Sequence, residues 1–219
     1  MGERERRVRV PGLRTGRMEA FSDGVFAIAI TLLVLEIGVP PGSGDDLVGA
    51  LADQWPSYLA YFVSFATIGA VWVAHTVITE YLDHANSVLL RLNLLLLMVV
   101  SLLPFPTKLL AEYAEERTPE RIAATVYGIN LLLSLIMVAI TWRYAVHAQL
   151  VRPDLADEDV KTLTKRLTPT LGLYVAMIVL GLFLPTLAVL GYLVLAVFIL
   201  LPFGAIRRER HQRTDPGLG

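Results

Sequence analysis

The chain has 219 residues, of which 55% are hydrophobic and 18% are charged, and its mean hydropathy is +0.58. A water-soluble domain carries roughly a quarter charged residues, so this composition excludes a disordered protein and argues against a soluble enzyme. The sequence contains no cysteine, which excludes disulfides, iron–sulfur clusters and thiolate zinc sites. The net charge of −1 provides no overall basic field to attract nucleic acid. The composition is typical of a polytopic membrane protein.

A helix that crosses a bilayer needs about 20 mostly apolar residues. The apolar segments of this chain are long enough for six such helices. The predicted spans are residues 19–39, 57–78, 89–110, 121–146, 168–184 and 186–206. The last two divide a long uncharged stretch at Leu184-Pro185, because the residue before a proline is disfavoured in a helix. Pro104-Phe105-Pro106 predicts a break near the end of the third span. The predicted fold is all-α, with a membrane domain at 19–206 between a basic arm, 1–18, and a basic tail, 207–219.

The distribution of Lys and Arg predicts how the chain is oriented. Of the 19 basic residues, all but Lys108, Arg117 and Arg121 fall on one side of the six predicted spans, in segments 1–17, 79–91, 143–166 and 207–219. The loops of the other side are rich in Asp and Glu. The positive-inside rule therefore places both termini in the cytoplasm, and it explains the arginine-rich arm as a topology determinant near anionic lipid.

The first span carries an apolar stripe. Its members recur at alternating steps of four and three residues, the spacing of a heptad seam: Phe21, Val25, Ile28, Leu32 and Leu35. The simplest interpretation of such a stripe is packing against a neighbouring helix. Thr31 places a hydroxyl on or beside the same face, and its simplest role is a hydrogen bond to the carbonyl four residues earlier.

The beginning of this span carries polar residues, of which Asp23 is costly close to the hydrocarbon. Arg17 is the obvious partner, but a separation of six residues is too long for a direct pair on one helix. A bridge through another helix or subunit is therefore expected. The alternative is that Ser22 and Asp23 only cap the helix.

The segment Arg17-x-x-x-Phe21-Ser22-Asp23, with the Gly-Val-Phe-Ala-Ile-Ala-Ile-Thr-Leu-Leu-Val-Leu-Glu-Ile that follows it, resembles the bacterial members of the lysosomal potassium-channel family. Later segments also resemble that family: Trp72-x-x-His75, Asn93-Leu-Leu-Leu-Leu and Leu103-Pro104-Phe105-Pro106-Thr107. The last three spans match mainly in hydropathy.

This resemblance implies a homotetrameric, potassium-selective channel without a TVGYG filter, lying in the plasma membrane. The first helix of each subunit would line the pore, with Ile28 at the narrowest constriction, Leu32 and Leu35 at further apolar rings, and Thr31 at a hydroxyl layer that contributes to selectivity. A supporting polar network would comprise Arg17, Ser22, Asp23, Trp72 and His75. The resemblance implies permeant potassium and membrane lipid as partners. The charge argues against nucleic acid, and an intramembrane enzyme would need a nucleophile–base or metal-ligand set that the scattered His and acidic residues do not offer, so no enzymatic activity, cofactor or resident metal is expected.

Two further features have competing interpretations. Thr125-Val126-Tyr127-Gly128 looks like a damaged potassium filter, but it sits in a long apolar helical pattern, whereas a filter needs a re-entrant loop. Asp23 and His75 could instead serve a proton-coupled secondary transporter. His75 by itself could be a proton sensor or a structural histidine hydrogen-bonded between helices. Against the transporter, the sequence has no visible internal repeat.

Three smaller expectations concern single side chains. Glu36 either concentrates cations at the external mouth or is simply solvated. Asn93 lies deep enough in the third span to need a hydrogen-bond partner in another helix. Aromatic belts are expected at the span ends, where four aromatic residues lie: Tyr58, Tyr61, Trp142 and Tyr144.

Overall fold

The computed structural model describes residues 15–39, 41–114 and 116–201. Within these ranges the regular structure is helical, and one isolated antiparallel bridge joins Leu82 to Val151. The α-helices are α1 (Thr15–Leu32), α2 (Leu47–Asp53), α3 (Trp55–Glu80), α4 (Ser87–Ser101), α5 (Pro104–Glu112), α6 (Arg117–His147), α7 (Asp157–Gly181) and α8 (Pro185–Leu200). Two 3₁₀ turns, Leu33–Glu36 and Ser43–Asp46, follow α1 and precede α2.

Five segments are long and apolar enough to cross a membrane: Thr15–Glu36, Trp55–Glu80, Ser87–Glu112, Thr118–His147 and Val160–Gly181. They correspond to the first five predicted spans. The sixth predicted span, 186–206, corresponds to α8, an apolar helix of 16 residues, and the last five residues of that span, 202–206, lie outside the described residues. At 1.5 Å per residue such a helix is about 24 Å long, which is shorter than the roughly 30 Å hydrocarbon core.

Proline sets several helix boundaries, as predicted. α7 ends at Gly181 and α8 begins at Pro185, and the third span is interrupted between Ser101 and Pro104. Proline is tolerated in the first turn of a helix because its missing N–H would have no partner there. The α-helical part of the first span ends earlier than predicted, at Leu32, and the 3₁₀ turn continues it to Glu36.

α3 is the central helix of the protomer, packing against α1, α5, α6 and α8. The main core fills the space between these helices and includes Phe26, Val63, Ile68 and Tyr127. Trp142 is also fully buried, and its Nε1 donates to Thr164 Oγ1 at 2.9 Å. The prediction that Trp142 lies in an interfacial belt is therefore wrong, because the α6–α7 packing encloses its ring.

The filter-like tetrapeptide at residues 125–128 lies inside α6, and the Thr125 hydroxyl donates to the Arg121 carbonyl at 2.7 Å. Its backbone carbonyls therefore belong to a helix, as the sequence pattern predicted, and do not form a re-entrant loop. The basic tail, and the basic arm up to residue 14, lie outside the described residues.

Candidate functional site

α1 presents two different seams. One is buried in the protomer and contains Met18, Ser22, Phe26, Ala29 and Leu33. The predicted stripe lies about 100° further around the helix and is exposed: Phe21 by 56%, Ile28 by 59%, Leu32 by 41% and Leu35 by 71%. Val25, the fifth member, is partly buried. The stripe is therefore not the face by which α1 packs inside its own protomer.

Thr31 lies on the exposed side of α1, close to this stripe. Its Oγ1 donates to the Ile28 carbonyl at 2.9 Å, three residues earlier. The hydroxyl proton is thus directed to the backbone, and the oxygen lone pairs remain able to accept a hydrogen bond or contact a cation.

A buried chain of hydrogen bonds connects the N-terminal half of α1 to α3 and α4. Asn93 Nδ2 donates to Ser22 Oγ at 2.9 Å, and Ser22 Oγ donates to the Met18 carbonyl at 2.8 Å. Asn93 Oδ1 lies 2.8 Å from His75 Nε2. The ring of Phe26 packs against the His75 imidazole with centroids 5.5 Å apart. The prediction that Asn93 has a partner in another helix is confirmed, and it has two.

A second contact of α1, between Asp23 and Trp72, is more exposed to solvent than the chain of Ser22, Asn93 and His75. Trp72 Nε1 donates to Asp23 Oδ1 at 2.9 Å, so α3 supplies the partner for this carboxylate. Among the described residues, no hydrogen bond or ion pair joins Arg17 to Asp23, and the Arg17 side chain is exposed. Within one protomer the structure therefore brings together four of the five predicted network residues and leaves Arg17 apart.

The chain Ser22–Asn93–His75 fixes the position of α1 because its groups are enclosed by protein. Ser22 is 0%, Asn93 3% and His75 4% exposed. A buried polar group left without a partner costs about 1–3 kcal/mol, so α1 cannot slide or rotate against α3 and α4 without a substantial cost. Asn93 is the central member, and it was not among the predicted site residues although its place in a leucine-rich run marked it as unusual.

At the other end of α1, a surface cleft lies between the first helix and the α3 and α5 termini. Glu36, Gln54, Lys108 and Glu112 line it. Lys108 Nζ is 3.7 Å from Glu112 Oε1. Glu36 thus faces a polar cleft at the end of the first span.

Comparisons with known proteins show which family the chain belongs to. The profile of the family described as the endosomal/lysosomal potassium channel TMEM175 matches residues 17–104, which include α1, α3 and α4. A protein of Chamaesiphon minutus named as a potassium channel is 43% identical over 192 residues, covering 85% of this chain and 94% of that protein. The chain belongs to the TMEM175 family.

A further relative and a solved structure are also similar to this chain. A protein of Streptomyces collinus named as a potassium channel is 48% identical over 141 residues, or 64% of this chain and 68% of that protein. The crystal structure of a lysosomal potassium-selective channel TMEM175 homolog from Chamaesiphon minutus matches with a TM-score of 0.78 and 41% identity, covering 87% of this chain and 98% of that one. The similarity thus includes most of the TMEM175-type helical fold.

Proposed function

We propose that this TMEM175-family protein is a potassium-selective cation channel of the plasma membrane, in which four copies surround a central pore lined by α1. Ile28 forms the narrowest ring, Leu32 and Leu35 form further apolar rings, and Thr31 supplies a hydroxyl layer. Six helices of each subunit cross the membrane, with both termini in the cytoplasm. The relatives named as potassium channels support the choice of ion.

One observation carries the pore assignment: four of the five stripe residues are exposed in the protomer, and only Val25 packs in part against the main core. Ile28 and Leu35 are 59% and 71% exposed, whereas Phe26 and Leu33 on the adjoining seam are 1% and 0% exposed. A helix anchored by one seam and bare on another is suited to surround an axis with its copies. The polar network then acts as a support, because Asn93 and Trp72 hold α1 from outside the pore.

The proximity of the loops supports the topology. Leu82 and Val151 pair with each other, and Met18 packs in the same small cluster. All three belong to segments assigned to the cytoplasmic side. Glu36, Gln54 and Lys108, which belong to the opposite side, line one common cleft. Segments that the topology assigns to one side of the membrane therefore lie together in the structure, as expected when an even number of membrane crossings separates them along the chain.

A ring of isoleucine side chains sets the selectivity mechanism. Such a constriction expels water when it is narrow, which is a means of gating. An apolar ring cannot replace the hydration shell of an ion, so conduction requires widening, and discrimination comes from partial dehydration and from nearby oxygens such as that of Thr31. We therefore expect a moderate preference for potassium over sodium, weaker than that of a filter made of carbonyl rings.

Recording from purified protein in planar bilayers with potassium on one side and sodium on the other tests this proposal. The expected result is discrete single-channel steps and a reversal potential shifted toward the potassium equilibrium value. A current that reverses at zero under this gradient would contradict selectivity, and a silent bilayer containing correctly assembled protein would contradict the channel itself.

The alternative is a proton-coupled transporter that uses Asp23 and His75. The contacts give it less support, because the carboxylate of Asp23 accepts from Trp72 and the imidazole of His75 is paired with Asn93. A transporter would accumulate its solute against a gradient when a pH difference is imposed on liposomes, and its rate would saturate. A channel instead passes discrete single-channel current steps and does not couple its flux to the pH difference.

A further inference from the structure

Two links on the same side of the molecule are joined by a short antiparallel pairing. The Asp83 N–H donates to the Leu150 carbonyl at 2.9 Å, and the Arg152 N–H donates to the Tyr81 carbonyl at 3.0 Å. These bonds flank the Leu82–Val151 bridge. We call residues 81–83 and 150–152 the clasp, because they connect the α3–α4 link to the α6–α7 link.

The conformation of the second link is well determined by local interactions. Gln149 has φ +55°, in the left-handed region, which turns the chain sharply from α6 into the clasp. Arg152 then forms a two-fold contact with Asp154, with Nη2–Oδ2 at 2.6 Å and Nε–Oδ1 at 3.1 Å. This hydrogen bonding lowers the pKa of the Asp154 carboxyl, so the pair stays charged near neutral pH.

The clasp reaches the first helix through an apolar cluster separate from the main core. Met18 of α1 is 6% exposed and packs there with Leu82, Leu89 and Leu150. The Asn86 side chain adds a polar tie beside the cluster, since its Nδ2 donates to Tyr144 Oη at 2.9 Å. The N-terminal end of α1 is thus held by both the α3–α4 link and the α6–α7 link.

Met18 is connected to the proposed constriction by continuous helix. Its carbonyl accepts the Ser22 hydroxyl, and α1 runs unbroken from Thr15 to Leu32. Ile28 lies ten residues beyond Met18, a distance of roughly 15 Å along the axis at 1.5 Å per residue. A displacement of the Met18 end therefore moves the whole helix.

We infer that the clasp is a positioning element for α1, and that the Ile28 ring can widen only when the two links shear apart. This inference rests on the proposed channel function. Met18, Leu82 and Val151 act through the position of α1 and do not touch the permeating ion. The α6–α7 link thereby becomes the part of the molecule through which a cytoplasmic event can change the current.

A reversible disulfide tests the clasp directly. Leu82 and Val151 form the pair without mutual backbone hydrogen bonds, where antiparallel Cα atoms are about 4.5 Å apart, a separation that a disulfide can span. The natural chain has no cysteine, so the L82C/V151C protein contains a single thiol pair. Oxidation and reduction then compare a locked and an unlocked clasp in the same sample.

We expect the potassium current of L82C/V151C to fall at least about tenfold on oxidation, within the usual range of coupling between sites, and to recover on reduction. The single variants L82C and V151C, treated identically, should not respond. A cross-linked protein with an unchanged or larger current would overturn the inference, as would failure of the cysteines to cross-link in the folded protein.

A variant that loosens the clasp should change the potassium current in the opposite direction. Met18→Ala removes the contact of α1 with the clasp cluster, so the basal potassium current should rise several-fold while the reversal potential keeps its preference for potassium. Met98→Ala is the matched control, because Met98 is 55% exposed on α4. If Met18→Ala does not fold, the redox comparison decides alone. Natural protein that passes no current refutes the proposed function, whereas conducting protein insensitive to the clasp refutes only this inference.

Discussion

At the scale of single residues, the first helix divides its side chains between two tasks. Ser22 and Phe26 face the protomer interior, where Asn93 and His75 meet them. Ile28 faces away from that interior. The same helix can therefore be held rigidly by one face while it leaves an apolar face exposed on another side.

Replacing Ile28 with asparagine should wet the proposed constriction. We expect Ile28→Asn to increase the potassium current and to lower discrimination against sodium, because a polar ring no longer expels water. Bilayer recording under asymmetric potassium and sodium measures both quantities. Val34→Asn is the control, since Val34 is 52% exposed but lies off the stripe. An unchanged current in Ile28→Asn would place the constriction elsewhere.

Replacing Asn93 with leucine should destabilise the protomer. The change keeps the branched shape of the side chain but leaves the buried His75 ring without its side-chain partner, at about 1–3 kcal/mol. Ser22 loses the hydrogen bond from Asn93 and keeps the one to the Met18 carbonyl. The measurement is the melting temperature of the purified protein in detergent. Leu94→Ala, at a neighbouring position that is 53% exposed, should melt close to the natural protein. Equal melting temperatures for Asn93→Leu and the natural protein would mean that the network does not hold α1.

At the scale of elements, the packing of α6 against α7 and α8 explains the glycine of the filter-like tetrapeptide. A Cβ built on Gly128 would collide with the Tyr192 hydroxyl and would lie 2.7 Å from Ile178 Cγ1. Tyr192 is fully buried, and its hydroxyl has no hydrogen-bond partner among the described residues. Gly128 is thus required for close helix packing, which is a structural role and not an ion-binding one.

Gly128→Ala should therefore lower the melting temperature, by the equivalent of about 1–3 kcal/mol for an overpacked core. Tyr192→Phe should be neutral or stabilising, because it removes a buried hydroxyl that has no described partner, and it should partly rescue Gly128→Ala in the double variant. Gly172→Ala is the matched control, since Gly172 lies on α7, away from α1, and a Cβ there meets nothing within 4 Å. A harmless Gly128→Ala would contradict this account of the α6–α8 contact.

At the scale of the whole molecule, the helices form two ends of different chemistry. The clasp and Met18 lie together at one end, while Glu36, Gln54 and Lys108 share a cleft at the other. The positive-inside rule assigns the first end to the cytoplasm. The orientation can be tested independently of any current.

Single cysteines report the orientation because the natural chain contains none. We expect a membrane-impermeant maleimide to label Val48→Cys in intact cells and to label Ala156→Cys only after lysis. Both positions are exposed, Val48 by 80%, so access to the thiol depends on the side of the membrane. Labelling of Ala156→Cys in intact cells would invert the proposed topology.

The sequence by itself determined the helical membrane fold, because hydrocarbon thickness and proline chemistry act locally: the Leu184-Pro185 boundary and the break at Pro104 both occur where predicted. The stripe of Ile28 was also visible as a periodicity, but periodicity is the same for a face that packs and a face that does not. Only the tertiary structure decided that Ile28 is exposed and Phe26 is buried, that Trp142 is enclosed between α6 and α7, and that Asn93 joins Ser22 to His75. Those outcomes depend on which helices become neighbours, and contacts between residues as distant in the chain as Ser22 and Asn93 leave no local signal of the partner that each will find.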